Sequence, residues 1–187
     1  MKPITHKIIP LAVVVFGILA CAAVRPNRAE MHGPEGKVVV DIPKAEYEED
    51  TATKVAETIE WLDFESGYAK AAKENKMLMI DVYTDWCGWC KVMDKKTFSN
   101  DTIIAKLNQS FVMVKMNPEK ARNYTFGDKT MAASDLHVWL GYGKTFGYPT
   151  SYFMIAPGTS DERYAQVGYL EPWEFSGIID IILSKKK

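Results

Sequence analysis

Two cysteines set three positions apart, Cys87 and Cys90 in Trp86-Cys87-Gly88-Trp89-Cys90-Lys91, are the residues of this chain best placed to do chemistry. A Cys-x-x-Cys pair supports two chemistries: its thiolates can clamp a metal, or they can trade a disulfide with another molecule. A zinc site needs a second Cys or His pair at ligand spacing, and His6, His32 and His137 each stand alone in the sequence. Exchange is therefore the favoured chemistry, with the Cys87–Cys90 disulfide as the redox group and no further cofactor or metal expected. The third cysteine, Cys21, closes an apolar run near the N-terminus and belongs to a separate argument.

The reactivity of such a pair depends on the elements that deliver it. Residues 77–83, Met-Leu-Met-Ile-Asp-Val-Tyr, read as a buried strand ending just before the pair, and a helix should start near Cys87. A helix N-terminus offers unpaired N–H groups and partial positive charge, both of which favour a thiolate. Cys87, preceding the helix and expected to be the more exposed, takes the role of nucleophile. Cys90, one turn further in, attacks the mixed disulfide and releases the product. The surrounding pattern alternates short apolar runs with amphipathic stretches. Strands are expected at 59–62, 111–117, up to 156, and 164–167. Helices are expected at 66–75 with Ser66 as cap, from Asn100 or Asp101 through 107, at 134–142, and at 172–183. The order β-α-β-α-β-α-β-β-α makes this an α/β chain.

The segment from Met79 to Lys91 resembles the active-site strand and helix of the thioredoxin family, and the resemblance extends over roughly residues 57–185. It implies a thioredoxin-like fold with a central mixed sheet flanked by helices. It also implies roles: Asp81, six residues before Cys87, stands where the family keeps a buried acid for proton transfer, and Lys115 stands where it keeps a strand lysine beside that acid. Pro149 in Gly147-Tyr148-Pro149-Thr150 matches the family's cis-proline, whose neighbouring backbone pairs with substrate, and Gly168 matches a glycine after the last strand. Trp86, Trp89, Tyr148 and Pro149 are the candidate substrate-binding residues, the two tryptophans being readable equally as contact surface or as packing. Within the superfamily the chain is similar to exported thioredoxin-like proteins and to the C-terminal domain of the membrane thiol-reducing transporter. Gly88-Trp89 departs from the Gly-Pro of ordinary thioredoxins and leaves the potential open.

Composition excludes other classes. The 187 residues are 47% hydrophobic with a net charge of −1, which suits one globular domain and offers no basic field for nucleic acid. Residues 1–20 read as a secretory signal, basic at Lys2 and Lys7 and then apolar. Ile18-Leu19-Ala20-Cys21 resembles a bacterial lipobox, which would make Cys21 a lipid attachment site and the envelope, on its periplasmic side, the location. An ordinary small-residue cleavage site releasing a soluble periplasmic protein, or an uncleaved anchor, are the alternatives. Residues 21–53 read as a tether, with Val38-Val39-Val40 the one stretch suited to an added edge strand. Residues 118–135 read as an irregular insertion, either a partner surface built on Tyr124, Phe126 and Met131 or a cap over the sheet edge. Met77, Met79, Met93, Met113, Met116 and Met154 are expected in the core, and His137 on a helix surface.

The function implied is dithiol–disulfide exchange on exported protein disulfide substrates, reductive rather than oxidative, with a membrane electron donor or acceptor as partner. A redox-responsive binding lipoprotein without catalysis, or a metal chaperone, are the alternatives.

Overall fold

In the computed structural model the described residues are 27–42 and 58–186. Cys21 and most of the signal and tether lie outside them.

The fold is a three-layer α/β sandwich. Its strands are β1 (Asn27–Gly33), β2 (Gly36–Ile42), β3 (Trp61–Leu62), β4 (Met77–Val82), β5 (Phe111–Met116), β6 (Asn123–Phe126), β7 (Lys129–Ala132), β8 (Thr150–Met154) and β9 (Arg163–Val167). Its helices are α1 (Phe64–Glu74), α2 (Gly88–Lys96), α3 (Asp101–Ser110), α4 (Ala133–Leu140) and α5 (Pro172–Lys185). Seven strands form one sheet in the order β2-β1-β9-β8-β4-β5-β3, and β6-β7 form a separate hairpin. The sheet is mixed: β4 runs parallel to β5 and antiparallel to β8. The central strand β4 is buried at all six positions, as a strand covered on both faces must be.

Alternation along the strands sorts the core into two layers. Met77 and Met79 of β4 face α2, α3 and α5, packing with Met93, Phe98, Ile103, Phe175 and Ile178. Leu78, Ile80 and Val82 face α1, α4 and the β6–β7 hairpin, packing with Phe64, Phe126, Leu136 and Tyr152. The six core methionines expected from the sequence are all buried.

Local chemistry sets most boundaries. Asp63 caps α1 by accepting the Ser66 N–H at 3.2 Å, so the helix starts two residues before Ser66 and buries Phe64 completely. Asn75 ends it in the left-handed region at φ 51. Asn100 caps α3, and α5 opens with Pro172 and a reciprocal Glu171–Glu174 capping box. Gly67 lets α1 lie directly on β5, since a Cβ there would meet the Val114 methyl at 2.1 Å. Two helices, α2 and α3, stand where the expected order counted one element, and β3 is shorter than expected.

Two readings are corrected. The segment expected to be a tether is structured over 27–42: β1 and β2 form an antiparallel hairpin that extends the sheet beside β9, burying Ala29, Met31 and Ile42. The edge strand expected at Val38-Val39-Val40 is β2, while the apolar positions of β1 are sparse and separated by polar residues, so composition masks that strand. The insertion at 118–135 is not irregular either. It folds as the β6–β7 hairpin and leads into α4, and Tyr124 and Phe126 are buried edge-on against Phe64. They cap the helical layer rather than offering a surface.

Candidate active site

Cys87 is the N-cap residue of α2, and its Sγ accepts the Cys90 N–H at 3.0 Å. Cys87 and Cys90 are joined as a disulfide with Cα atoms 5.4 Å apart. Both are buried, at 4% and 5% exposure, so the expectation that Cys87 is the more exposed is corrected. The loop turns Cys87 inward, its N–H bonding the carbonyl of the buried Thr84. What sets Cys87 apart is its place at the helix end, where an anionic sulfur is stabilised by free N–H groups.

Beneath α2 lies a charged cluster. Asp81 continues the alternation of Met77 and Met79 and so points into the layer occupied by α2. It is 2% exposed, and its Oδ1 has no hydrogen-bond partner among the described residues. Lys115, opposite it in the β4–β5 register, brings Nζ to 3.5 Å from Asp81 Oδ2. The same ammonium lies 2.5 Å from Asp94 Oδ1 on α2, so Lys115 serves two acids rather than one. Burial pushes the Asp81 carboxyl up from 3.8 to about 7; Lys115 opposes this rise and Asp94 adds to it. Asp94 was not singled out in the sequence. Its signal is spacing, four residues after Cys90 and seven after Cys87, which puts it on the same face of one helix.

The rim of the site is aromatic. The Tyr148–Pro149 peptide is cis. Thr150 pairs with Val82 at the end of β4, so Pro149 lies at the sheet edge from which the redox loop departs. Gly168, at φ 90, donates its N–H to the Pro149 carbonyl at 2.8 Å, tying the cis-proline loop to the end of β9. Trp86 is 66% exposed and Trp89 61%, yet each is backed by a tyrosine. Trp86 meets Tyr148 edge-on at 5.7 Å between centroids, and Trp89 stacks on Tyr169 at 5.3 Å. The Trp86 indole N–H is shared by both Glu119 oxygens, at 3.0 and 3.1 Å. Glu119 and Tyr169 escaped sequence reasoning because both are remote from the cysteines along the chain.

His137 is corrected from surface to interior: it is 2% exposed in α4, 5.6 Å from the Tyr148 ring and 5.8 Å from that of Tyr152. The alternation of α4 turns it toward β8 together with Ala133, Leu136 and Leu140. Burial lowers its basicity. No group of three His, Cys, Asp or Glu side chains suited to a metal occurs among the described residues.

Comparison with known proteins places this geometry. The Thioredox_DsbH family, described as a protein of unknown function, DUF255, matches residues 46–171. The chain is 34% identical over 115 residues to the thiol:disulfide interchange protein DsbD of Pseudoalteromonas atlantica, covering 61% of this chain and 17% of that protein. It is 30% identical over 90 residues to human spermatogenesis-associated protein 20, covering 44% of this chain and 12% of that protein. The chain thus spans a small fraction of the curated relatives it matches. Among solved structures, a thioredoxin from Thermus thermophilus aligns with TM-score 0.56 and 17% identity over 70% of this chain and 91% of that one. A DsbH oxidoreductase aligns with TM-score 0.51 and 18% identity over 75% and 96%. The expected thioredoxin-like fold and resemblance are borne out.

Proposed function

This chain belongs to the Thioredox_DsbH family, and from that membership and the geometry of the site we propose that it reduces disulfides of exported proteins in the bacterial envelope through Cys87 and Cys90. One observation carries the reading: a disulfide-forming pair at the start of α2 lies over a buried acid whose carboxyl titrates at about 7.

In the reduced protein the Cys87 thiolate attacks a substrate disulfide, forming a mixed disulfide and releasing one substrate thiolate. The Asp81 carboxylate takes the Cys90 proton. The Cys90 thiolate then attacks Cys87 Sγ, the bond to substrate breaks, and the second substrate thiolate leaves. Two electrons pass to the substrate, which becomes a dithiol, and the enzyme becomes the disulfide. An acid titrating near neutrality can both accept this proton and return it when the pair is recharged, as the task of a general base requires. Lys115 and Asp94 set its charge state. Trp86, Trp89, Tyr148 and Pro149 form the rim on which the polypeptide seats.

Recharging needs a dithiol donor, and in an oxidising compartment a membrane reductant supplies it. Likeness to DsbD supports that partner. The lipid anchor at Cys21 belongs to the same proposal and would hold the domain close to the donor. Among the described residues no helix is long and apolar enough to cross a membrane.

Replacing Cys90 with Ser tests the reading. The variant should accumulate substrates as mixed disulfides at Cys87, while Cys87→Ser captures none and has no exchange activity. Absence of any trapped species would leave a redox-responsive binding protein as the better account. Equilibration with glutathione tests direction, because a strongly oxidising couple would overturn the reductase assignment.

A further inference from the structure

The helix that follows the β6–β7 hairpin, α4, sends one polar side chain into the space under the cis-proline loop. His137 is 2% exposed, and its Nε2 has no hydrogen-bond partner among the described residues. One flank of its ring meets Tyr152 at 77°, a residue of β8 with no exposed surface. The other lies 33° from the plane of Tyr148, at 5.6 Å between centroids. Tyr148 in turn meets Trp86, the residue before Cys87. The contacts therefore run from a fixed strand through His137 to a half-buried tyrosine and on to an exposed tryptophan beside the redox sulfurs. The contacts that His137 makes with Tyr148 and Tyr152 are those of a flat ring.

We propose that His137 is a positioning residue for substrate docking: its ring sets the seat of Tyr148 and, through Tyr148, the place of Trp86, and so governs how tightly a disulfide-bearing polypeptide binds. This rests on the exchange reading of the site and adds to it a role for α4. His137 touches neither sulfur nor substrate. Its loss changes binding and leaves the chemical step and the redox equilibrium alone.

The test uses the full chain and two variants that keep the buried volume filled. His137→Leu removes the flat ring, and His137→Phe keeps it without the nitrogens. With a fluorogenic peptide disulfide as probe and dithiothreitol as reductant, His137→Leu should raise KM roughly five- to tenfold, the scale of one aromatic contact. Its kcat and the equilibrium of the Cys87–Cys90 couple with glutathione should stay as in the parent protein, and His137→Phe should keep the parent KM. An unchanged KM in the leucine variant, a parallel fall in kcat, or a phenylalanine variant as impaired as leucine would overturn the proposal. The indole N–H resonance of Trp86 in nitrogen-15 spectra gives a readout independent of turnover. It should move in His137→Leu and hold its place in His137→Phe. Failure of the parent protein to turn over the probe would sink the exchange reading, whereas an unmoved indole resonance in His137→Leu would sink this one.

Discussion

The two faces of the central sheet are both well packed, but they bury different chemistry. Toward α2, α3 and α5 the apolar layer is interrupted by the cluster of Asp81, Lys115 and Asp94 beneath the disulfide. Toward α1, α4 and the β6–β7 hairpin no acidic residue is buried among the described residues. There His137 and Arg163 interrupt the apolar layer, each set against aromatic rings. A buried carboxyl near neutrality suits proton transfer, whereas stacked rings suit a rigid surface on which a polypeptide can seat. The difference between the faces is a division between a charged cluster on one and stacked rings on the other.

The largest expected effect comes from breaking the charged face. Asp81 binds its proton more tightly in the folded protein than in the unfolded chain, so stability falls as pH rises from about 4 to about 7 and then levels off. Asp81→Asn removes this loss. Denaturation of the oxidised protein should show the variant on the order of 3 to 4 kcal/mol more stable at pH 8 and no different below pH 4. The same variant should slow resolution of the mixed disulfide by roughly a hundredfold, the lower end of what a general base supplies. Equal stability at pH 8 would mean that the acid is not held neutral.

A smaller loss is expected from the aromatic face. The Arg163 guanidinium lies between the rings of Trp139 and Tyr142, at 3.9 and 4.0 Å from their centroids. It donates to the carbonyls of Trp139, Leu140 and Asp161. Arg163→Met keeps the length of the side chain but removes the cation from between the rings and its donors from those carbonyls. It should cost about 2 to 3 kcal/mol in urea denaturation while leaving the pH profile of exchange unchanged. A shifted profile would break the division between the faces.

The smallest effect sharpens the comparison. Asp94 is partly solvated, and its charge helps to raise the Asp81 carboxyl. Asp94→Asn should move the inflection in the pH–rate profile of mixed-disulfide resolution to lower pH, with little change in stability. An inflection that stays in place or moves upward would assign Lys115 to Asp81 alone.

How much of this was legible beforehand follows distance along the chain. Cys87 and Cys90 sit within one turn and helix, so spacing reveals their arrangement, Asp81 follows from the resemblance, and the apolar runs at 77–83 and 111–117 announce buried strands on their own. The helix caps are equally local, though the cap of α1 is Asp63 rather than the expected Ser66. Val38-Val39-Val40 pointed to the edge strand β2, but β1 was missed because its pairing with β9 crosses more than a hundred residues and its few apolar positions carry no strong period.

The amino-acid sequence by itself determined the Cys87–Cys90 pair, the helix that starts at it and the α/β order, because each rests on periodicity and short-range hydrogen bonding, whereas the acid at Asp81 was implied by the resemblance. Only the tertiary structure decided that Lys115 is shared with Asp94, that Glu119 holds the Trp86 indole, and that His137 lies under Tyr148. Those contacts join elements that meet only when the layers close on the sheet. Neither residue type nor spacing records which side chains face one another across a packed interior.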